Sequence, residues 1–192
     1  METRPQLNID LNSMMRVARS IPYIGNKGNP SNGSLWLVDG FTFKKERLFY
    51  FMSKVAVVYW SGTGNTEAMA MAVAEGAKEK GAEVSVLTAS EFSADQVSSF
   101  DAIAFGCPSM GAEQLEEMEF EPMFSACENR LSGKTIALFG SYGWGDGEWM
   151  RTWESDCDSA GVNLVCESVI CTETPDDAAL EACRALGKAL AE

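Results

Sequence analysis

Residues 52–192 predict an α/β fold: a doubly wound, five-stranded parallel sheet of strand order 2-1-3-4-5, with helices on both faces. Three observations carry this expectation. Short, continuous apolar runs alternate with longer segments of helical composition, as strands covered on both faces require. The β-α unit recurs five times, which suits a sheet of this size. Glycine-rich loops follow the first, third and fourth runs, which puts all three at the carboxyl ends of parallel strands, where open α/β sheets bind their ligands.

The elements follow in order. Val55-Ala56-Val57-Val58-Tyr59-Trp60 is the first strand, and Glu67 to Lys80, rich in Ala, Met and Glu, is the first helix, stopped by Gly81. Glu83 to Thr88 is the second strand and Ala102-Ile103-Ala104-Phe105 the third. A short helix is expected over Glu121 to Asn129, then Thr135-Ile136-Ala137-Leu138-Phe139 as the fourth strand and Glu148 to Ala160 as a helix. Val162 to Cys171 is the last strand. Asp176 to Ala191 is the last helix, opened by Pro175-Asp176-Asp177.

Residues 1–51 have a different character. Asn, Gly and Pro cluster from Gly25 to Gly33, without helical or strand periodicity. Leu35-Trp36-Leu37-Val38, Asp39-Gly40 and Phe41-Thr42-Phe43 together have the pattern of a hairpin, which alone is marginal in water. Met52-Ser53-Lys54 then looks like a fresh start. The expected organisation is an N-terminal extension over 1–51, poorly ordered or an upstream translation, and one domain over 52–192.

The net charge of −13 is unevenly placed. Residues 1–51 carry 7 basic and 4 acidic side chains, whereas residues 52–192 carry 8 and 24. An acidic body repels nucleic acid and anionic membranes and favours basic protein surfaces as partners, although acidity also serves solubility alone. No apolar run reaches about 18 residues, so no membrane span is expected, and Met1 to Ser20 lacks the apolar stretch of a secretory signal. The six cysteines form no Cys-x-x-Cys pair and the chain has no histidine, which argues against a zinc site. They are expected as reduced, mostly buried thiols of a cytoplasmic protein. Without histidine the commonest general base and the usual hydrolytic triads are missing, which points to chemistry supplied by a cofactor.

The three loops describe a pocket. Ser61-Gly62-Thr63-Gly64-Asn65-Thr66 stands at the start of a helix, where free N–H groups and the helix dipole favour an anion. It holds no Lys or Arg, so the anion would be a terminal monophosphate held by neutral donors; it has neither the P-loop lysine nor the dinucleotide glycine spacing. A glycine-rich turn with a Thr or Asn cap would look much the same. The second loop, Gly106-Cys107-Pro108-Ser109-Met110-Gly111-Ala112-Glu113, places a polarisable Met beside a glycine turn. In the third, Gly140-Ser141-Tyr142-Gly143-Trp144-Gly145-Asp146-Gly147, four glycines surround a Trp, an arrangement that suits a flat wall on a loop better than a core.

These segments resemble the short-chain flavodoxins of anaerobic bacteria, over nearly all of residues 52–192 and none of 1–51. The carriers of the resemblance are Val57-Val58-Tyr59-Trp60-Ser61-Gly62-Thr63-Gly64-Asn65-Thr66-Glu67, Met110-Gly111 with Glu113, and Leu138 to Gly147. The resemblance implies a flavodoxin-like fold and non-covalent FMN, with the phosphate on Ser61, Gly62, Thr63, Gly64, Asn65 and Thr66. It implies a ring site formed by Ser109, Met110, Gly111, Ala112, Glu113, Ser141, Tyr142, Gly143, Trp144 and Gly145. Trp144 would stack on one face and Met110 lie against the other. Glu113 would accept from the ring N3–H, and Gly111 would turn its peptide to accept from N5–H after one-electron reduction. Ala112 departs from the polar residue common at its position.

The implied role is a low-potential one-electron carrier, monomeric and without a substrate of its own, shuttling between basic-surfaced reductases and low-potential acceptor enzymes. An FMN-dependent NAD(P)H:quinone oxidoreductase is the alternative, though no extra substrate-binding segment is visible. A receiver-type signalling module shares the strand order but needs acidic residues after the first strand, where Tyr59-Trp60-Ser61 stand. Glu113, Glu116, Glu117, Glu119, Glu121, Asp146 and Glu148 lie around the second and third loops. One carboxylate at about 10 Å through water disfavours a further negative charge by roughly 0.4 kcal/mol, on the order of 20 mV, so several together reach about 100 mV.

Overall fold

The computed structural model describes residues 52–192 throughout and, before them, the strands β1 (Leu35–Val38) and β2 (Phe41–Lys44). The chain divides into two compact units, Met1–Arg47 and Leu48–Glu192. In the first, β1 and β2 pair antiparallel, with Val38 opposite Phe41, as the Asp39-Gly40 connection predicts for a hairpin. The expectation of an upstream translation or a poorly ordered extension otherwise concerns residues outside those described.

In the second unit, β3 (Lys54–Tyr59) is central, and Val55, Ala56, Val57 and Val58 are all fully buried. Alternate side chains of a strand point to opposite faces, so a strand buried at every position needs a layer on each side. Ala56 and Val58 join Ile103, Phe105, Ile136, Leu138, Trp149 and Trp153 on one face; Val55 and Val57 join Met69, Val73, Phe139 and Leu186 on the other. The remaining elements are α1 (Asn65–Glu79), β4 (Glu83–Thr88), β5 (Ala102–Gly106), α2 (Phe120–Glu128), β6 (Thr135–Tyr142), α3 (Glu148–Ser159), β7 (Asn163–Leu164), β8 (Val169–Thr172) and α4 (Asp177–Leu190). The sheet runs β4-β3-β5-β6-β7, with β8 also on β6, and every pairing is parallel. This is the predicted order 2-1-3-4-5. Asp176 caps α4 by accepting from Ala179 N at 2.8 Å.

Two expectations need correction. The β-α unit does not recur five times with α-helices: between β4 and β5 the described backbone forms two 3-10 segments, Ala89–Glu91 and Ala94–Ser99. Ser90, Ser93, Asp95, Ser98 and Ser99 bond readily to nearby backbone, which favours caps and turns over a continuing α-helix. The last strand is also not continuous. From Leu164 to Val169 it advances five residues while its neighbour advances three, from Ile136 to Phe139. The surplus bulges at Val165–Ser168, on an edge where no further strand among the described residues holds it in register.

One close helix contact fixes the layer that carries the first loop. A Cβ on Gly76 of α1 would stand 2.0 Å from the Arg184 carbonyl oxygen of α4, and one on Gly187 would stand 1.9 Å from the Val73 carbonyl oxygen. The two helices approach at backbone distance, flanked by ion pairs of Arg184 with Glu75 and Lys188 with Glu79.

Candidate functional site

Five hydrogen bonds show that the three predicted loops meet at the carboxyl end of the sheet. Thr66 Oγ1 lies 3.1 Å from Ser141 Oγ, joining the first loop to the end of β6. Ser109 N donates to Ser141 O at 2.9 Å, joining the second loop to the same residue. Trp60 Nε1 donates to Glu119 Oε2 at 3.1 Å. Gly147 N and Glu148 N both donate to Glu113 Oε1, at 3.0 and 2.9 Å.

The first loop leaves β3 with Gly62 against the Trp60 indole and turns into α1 at Gly64, whose φ of 89° is left-handed. Ser61 Oγ accepts from Gly64 N at 3.0 Å. No side chain caps α1, so its first-turn N–H groups face the loop. Gly62 and Thr63 are exposed, and Ser61, Gly64 and Asn65 are half-buried. Thr66, at 1% exposure, is turned inward onto Ser141.

The second loop closes on itself. Met110 N donates to Gln114 O at 2.8 Å and Gln114 N to Met110 O at 3.0 Å, with Gly111, Ala112 and Glu113 as the three-residue tip. Gly111 has φ 49° and Glu113 φ 53°. Met110, Gly111 and Ala112 are exposed and Glu113 is half-buried. In the third loop Ser141 is buried and Tyr142 packs its ring against Trp149, 5.3 Å between centroids. Gly143, Trp144 and Gly145 are exposed, Trp144 at 57%. Gly140 allows close passage: a Cβ there would lie 2.1 Å from Cys107 O.

Sequence reasoning missed one residue with a large structural role. Glu116, placed among the rim glutamates, is buried, and its carboxylate accepts from Met118 N, Glu119 N and Phe120 N at 3.0, 2.8 and 2.9 Å. It supplies the cap that Glu119, at the start of α2, does not. Burial pushes its pKa up, but the three N–H bonds outweigh burial and hold it below the usual carboxylate range. The available sign was the lack of any Ser, Thr, Asp or Asn just before Phe120.

The site contains no activated nucleophile. Burial pushes the Cys107 thiol up to about 12. What it offers is an uncharged anion cradle beside two exposed apolar side chains, Met110 and Trp144. It also offers Ser109 Oγ, buried and without a hydrogen-bond partner among the described residues. A buried hydroxyl left unpaired is costly unless a ligand completes it. Free helix N–H groups, an orphaned hydroxyl and two apolar walls fit the phosphate, polar chain and flat ring of a flavin mononucleotide.

The sequence profile of the family described as Flavodoxin matches residues 57–187. Flavodoxin from Megasphaera elsdenii is 44% identical over 138 residues, 72% of this chain and 98% of that protein. Flavodoxin from Clostridium beijerinckii is 44% identical over 135 residues, 70% of this chain and 97% of that protein. The solution structure of two-electron reduced Megasphaera elsdenii flavodoxin superimposes with a TM-score of 0.66, covering 71% of this chain and 98% of that one. The shared strand order, the three converging loops and these matches lead to one assignment: this chain belongs to the flavodoxin family.

Proposed function

We propose that residues 52–192 work as an electron-carrier domain with FMN as the cofactor, passing electrons singly and at low potential between partner proteins. The carrying observation is the convergence of an uncharged helix-start loop with two exposed apolar side chains, Met110 and Trp144, at one end of the sheet. When bound, FMN supplies two separable one-electron steps. The chain's own residues bind and orient it. Ser61, Gly62, Thr63 and Asn65 present N–H and hydroxyl donors to the phosphate, Gly64 holds the turn with its N–H on Ser61 Oγ, and Thr66 and Ser141 brace the loop from beneath. Ser109 offers its hydroxyl to the polar chain, Trp144 and Met110 cover the ring faces, and Gly111, Ala112 and Glu113 form the edge that meets the ring nitrogens. Tyr142, Gly143 and Gly145 carry and space Trp144.

The acidic surface of this unit suits basic partner proteins, such as reductases and low-potential acceptor enzymes, met in the cytoplasm as a monomer. No helix among the described residues is long and apolar enough to cross a membrane. The decisive experiment is a reductive titration of the purified protein followed by its visible spectrum. Two resolved one-electron steps are expected, with absorbance beyond the oxidised flavin bands rising and then falling. A single two-electron transition, or steady oxidation of NADH by the protein alone, would overturn the proposal.

A further inference from the structure

Glu113 is held more tightly than a residue waiting for a ligand needs to be. Its backbone has φ 53°, a region that side chains other than Gly, Asn and Asp seldom occupy. Such strain persists only where surrounding contacts impose it. Here the contacts are visible: Oε1 accepts from both Gly147 N and Glu148 N. Those groups open α3, whose cap residue Gly147 is left-handed and has no side chain to offer. A carboxylate at a helix start is favoured by both the free N–H groups and the helix dipole. Gly145 completes the fit, because a Cβ there would stand 2.3 Å from the Glu113 carboxyl carbon.

We propose that Glu113 is a positioning residue whose carboxylate latches the second loop to the first turn of α3, and so sets the spacing of Met110 and Trp144. The two walls sit on different loops. Met110 is fixed by its bracket to Gln114, and Trp144 lies between Ser141, anchored on Ser109, and Gly147, anchored on Glu113. Without the latch, the far end of the Trp144 segment keeps only its ties to α3, where Arg151 donates to Asp146 O and pairs with the Asp146 carboxylate, and nothing joins it to the second loop there. The latch is a property of the chain, while its effect on the cofactor rests on the FMN proposal above.

The test measures amide hydrogen exchange at Gly147 and Glu148 in FMN-loaded protein, together with flavin fluorescence. Losing bonds to a charged acceptor speeds local opening by about tenfold, so E113A should exchange about tenfold faster at both amides. E113Q keeps an oxygen in place and should remain within about threefold of wild type. G145A keeps the carboxylate but displaces it, and should match E113A in exchange and in raised flavin fluorescence. G161A, strained by φ 71° at the far end of α3 with nothing near its added carbon, should leave both amides unchanged. Wild-type exchange in E113A and G145A would overturn the latch, even if FMN affinity fell, and would leave Glu113 a ligand of the ring only. If E113A does not fold, G145A against G161A decides. An absent flavin absorbance in the wild-type protein would defeat the FMN proposal instead, while the exchange rates would still judge the latch.

Discussion

Replacing Glu116 should destabilise the protein through three backbone groups and no cofactor contact. In E116A the N–H groups of Met118, Glu119 and Phe120 lose their acceptor. Phe120 is fully buried, so its N–H finds no water, and it bears the full loss of a bond to a charged acceptor, about 2 kcal/mol. Met118 and Glu119 are exposed and recover hydration, which leaves about 0.5 kcal/mol each. The total, about 3 kcal/mol, corresponds to a drop in Tm of roughly 6–12 °C in a chain of this size. E116Q retains one acceptor oxygen and should lose about 1 kcal/mol, roughly 2–4 °C.

The effect should also depend on pH with a definite sign. The folded-state pKa of Glu116 is lowered, since its N–H bonds outweigh the opposing effect of burial. Its stabilisation is therefore complete above the unfolded glutamate value of about 4.3 and is lost as pH falls through the folded value. Thermal melts of wild type and E116Q, followed by circular dichroism from neutral pH into the acid range, should show a gap that narrows as the solution is acidified. A gap that widened on acidification, or an E116A melt within about 2 °C of wild type at neutral pH, would refute the capping role.

Three further outcomes follow from other contacts. W144A should weaken FMN binding by about 10- to 100-fold and raise flavin fluorescence, and unchanged quenching in an equilibrium titration would remove Trp144 from the ring face. G187A places a Cβ 1.9 Å from the Val73 carbonyl oxygen, so α1 and α4 must separate; a loss of about 3 kcal/mol is expected in urea unfolding, against about 1 kcal/mol for G133A, whose added carbon meets nothing but whose φ of 76° is left-handed. S141A leaves the buried Thr66 hydroxyl without its partner and should lower the urea midpoint by about 1 kcal/mol of stability, with the m-value unchanged.

The sheet was legible because a strand buried on both faces leaves a mark in the sequence: Val55 to Val58 has no polar position. The loops were legible because glycine marks where the backbone needs unusual freedom, as φ 89° at Gly64 and φ 49° at Gly111 show. The site's internal bracing was not legible. Thr66 with Ser141, Trp60 with Glu119 and Glu113 with Gly147 are separated by 75, 59 and 34 residues, and no local pattern records which distant side chain will meet a given backbone group. The bulge between β7 and β8 was hidden for a similar reason, since strand register depends on the neighbour rather than on the strand itself.

The acidic residues near the second and third loops show why charge counted along a sequence overstates a field. Glu113 and Glu116 each sit at the start of a helix and accept two and three N–H bonds, so about half a positive charge already stands against each. Asp146 is paired with Arg151 at 2.5 Å. Glu119 holds the Trp60 indole and Glu117 the Gln114 amide, whereas Glu121 and Glu148 stand in the first turns of α2 and α3, where the helix dipole again opposes part of their charge. Two full charges and four halves, at about 20 mV each when roughly 10 Å away, come to about 80 mV before salt screening, half of it from Glu117 and Glu119. Neutralising Glu117 should therefore move a midpoint potential more through the field than neutralising Glu116, whose replacement acts through α2. Field and fold are separable in this cluster because the structure assigns them to different glutamates.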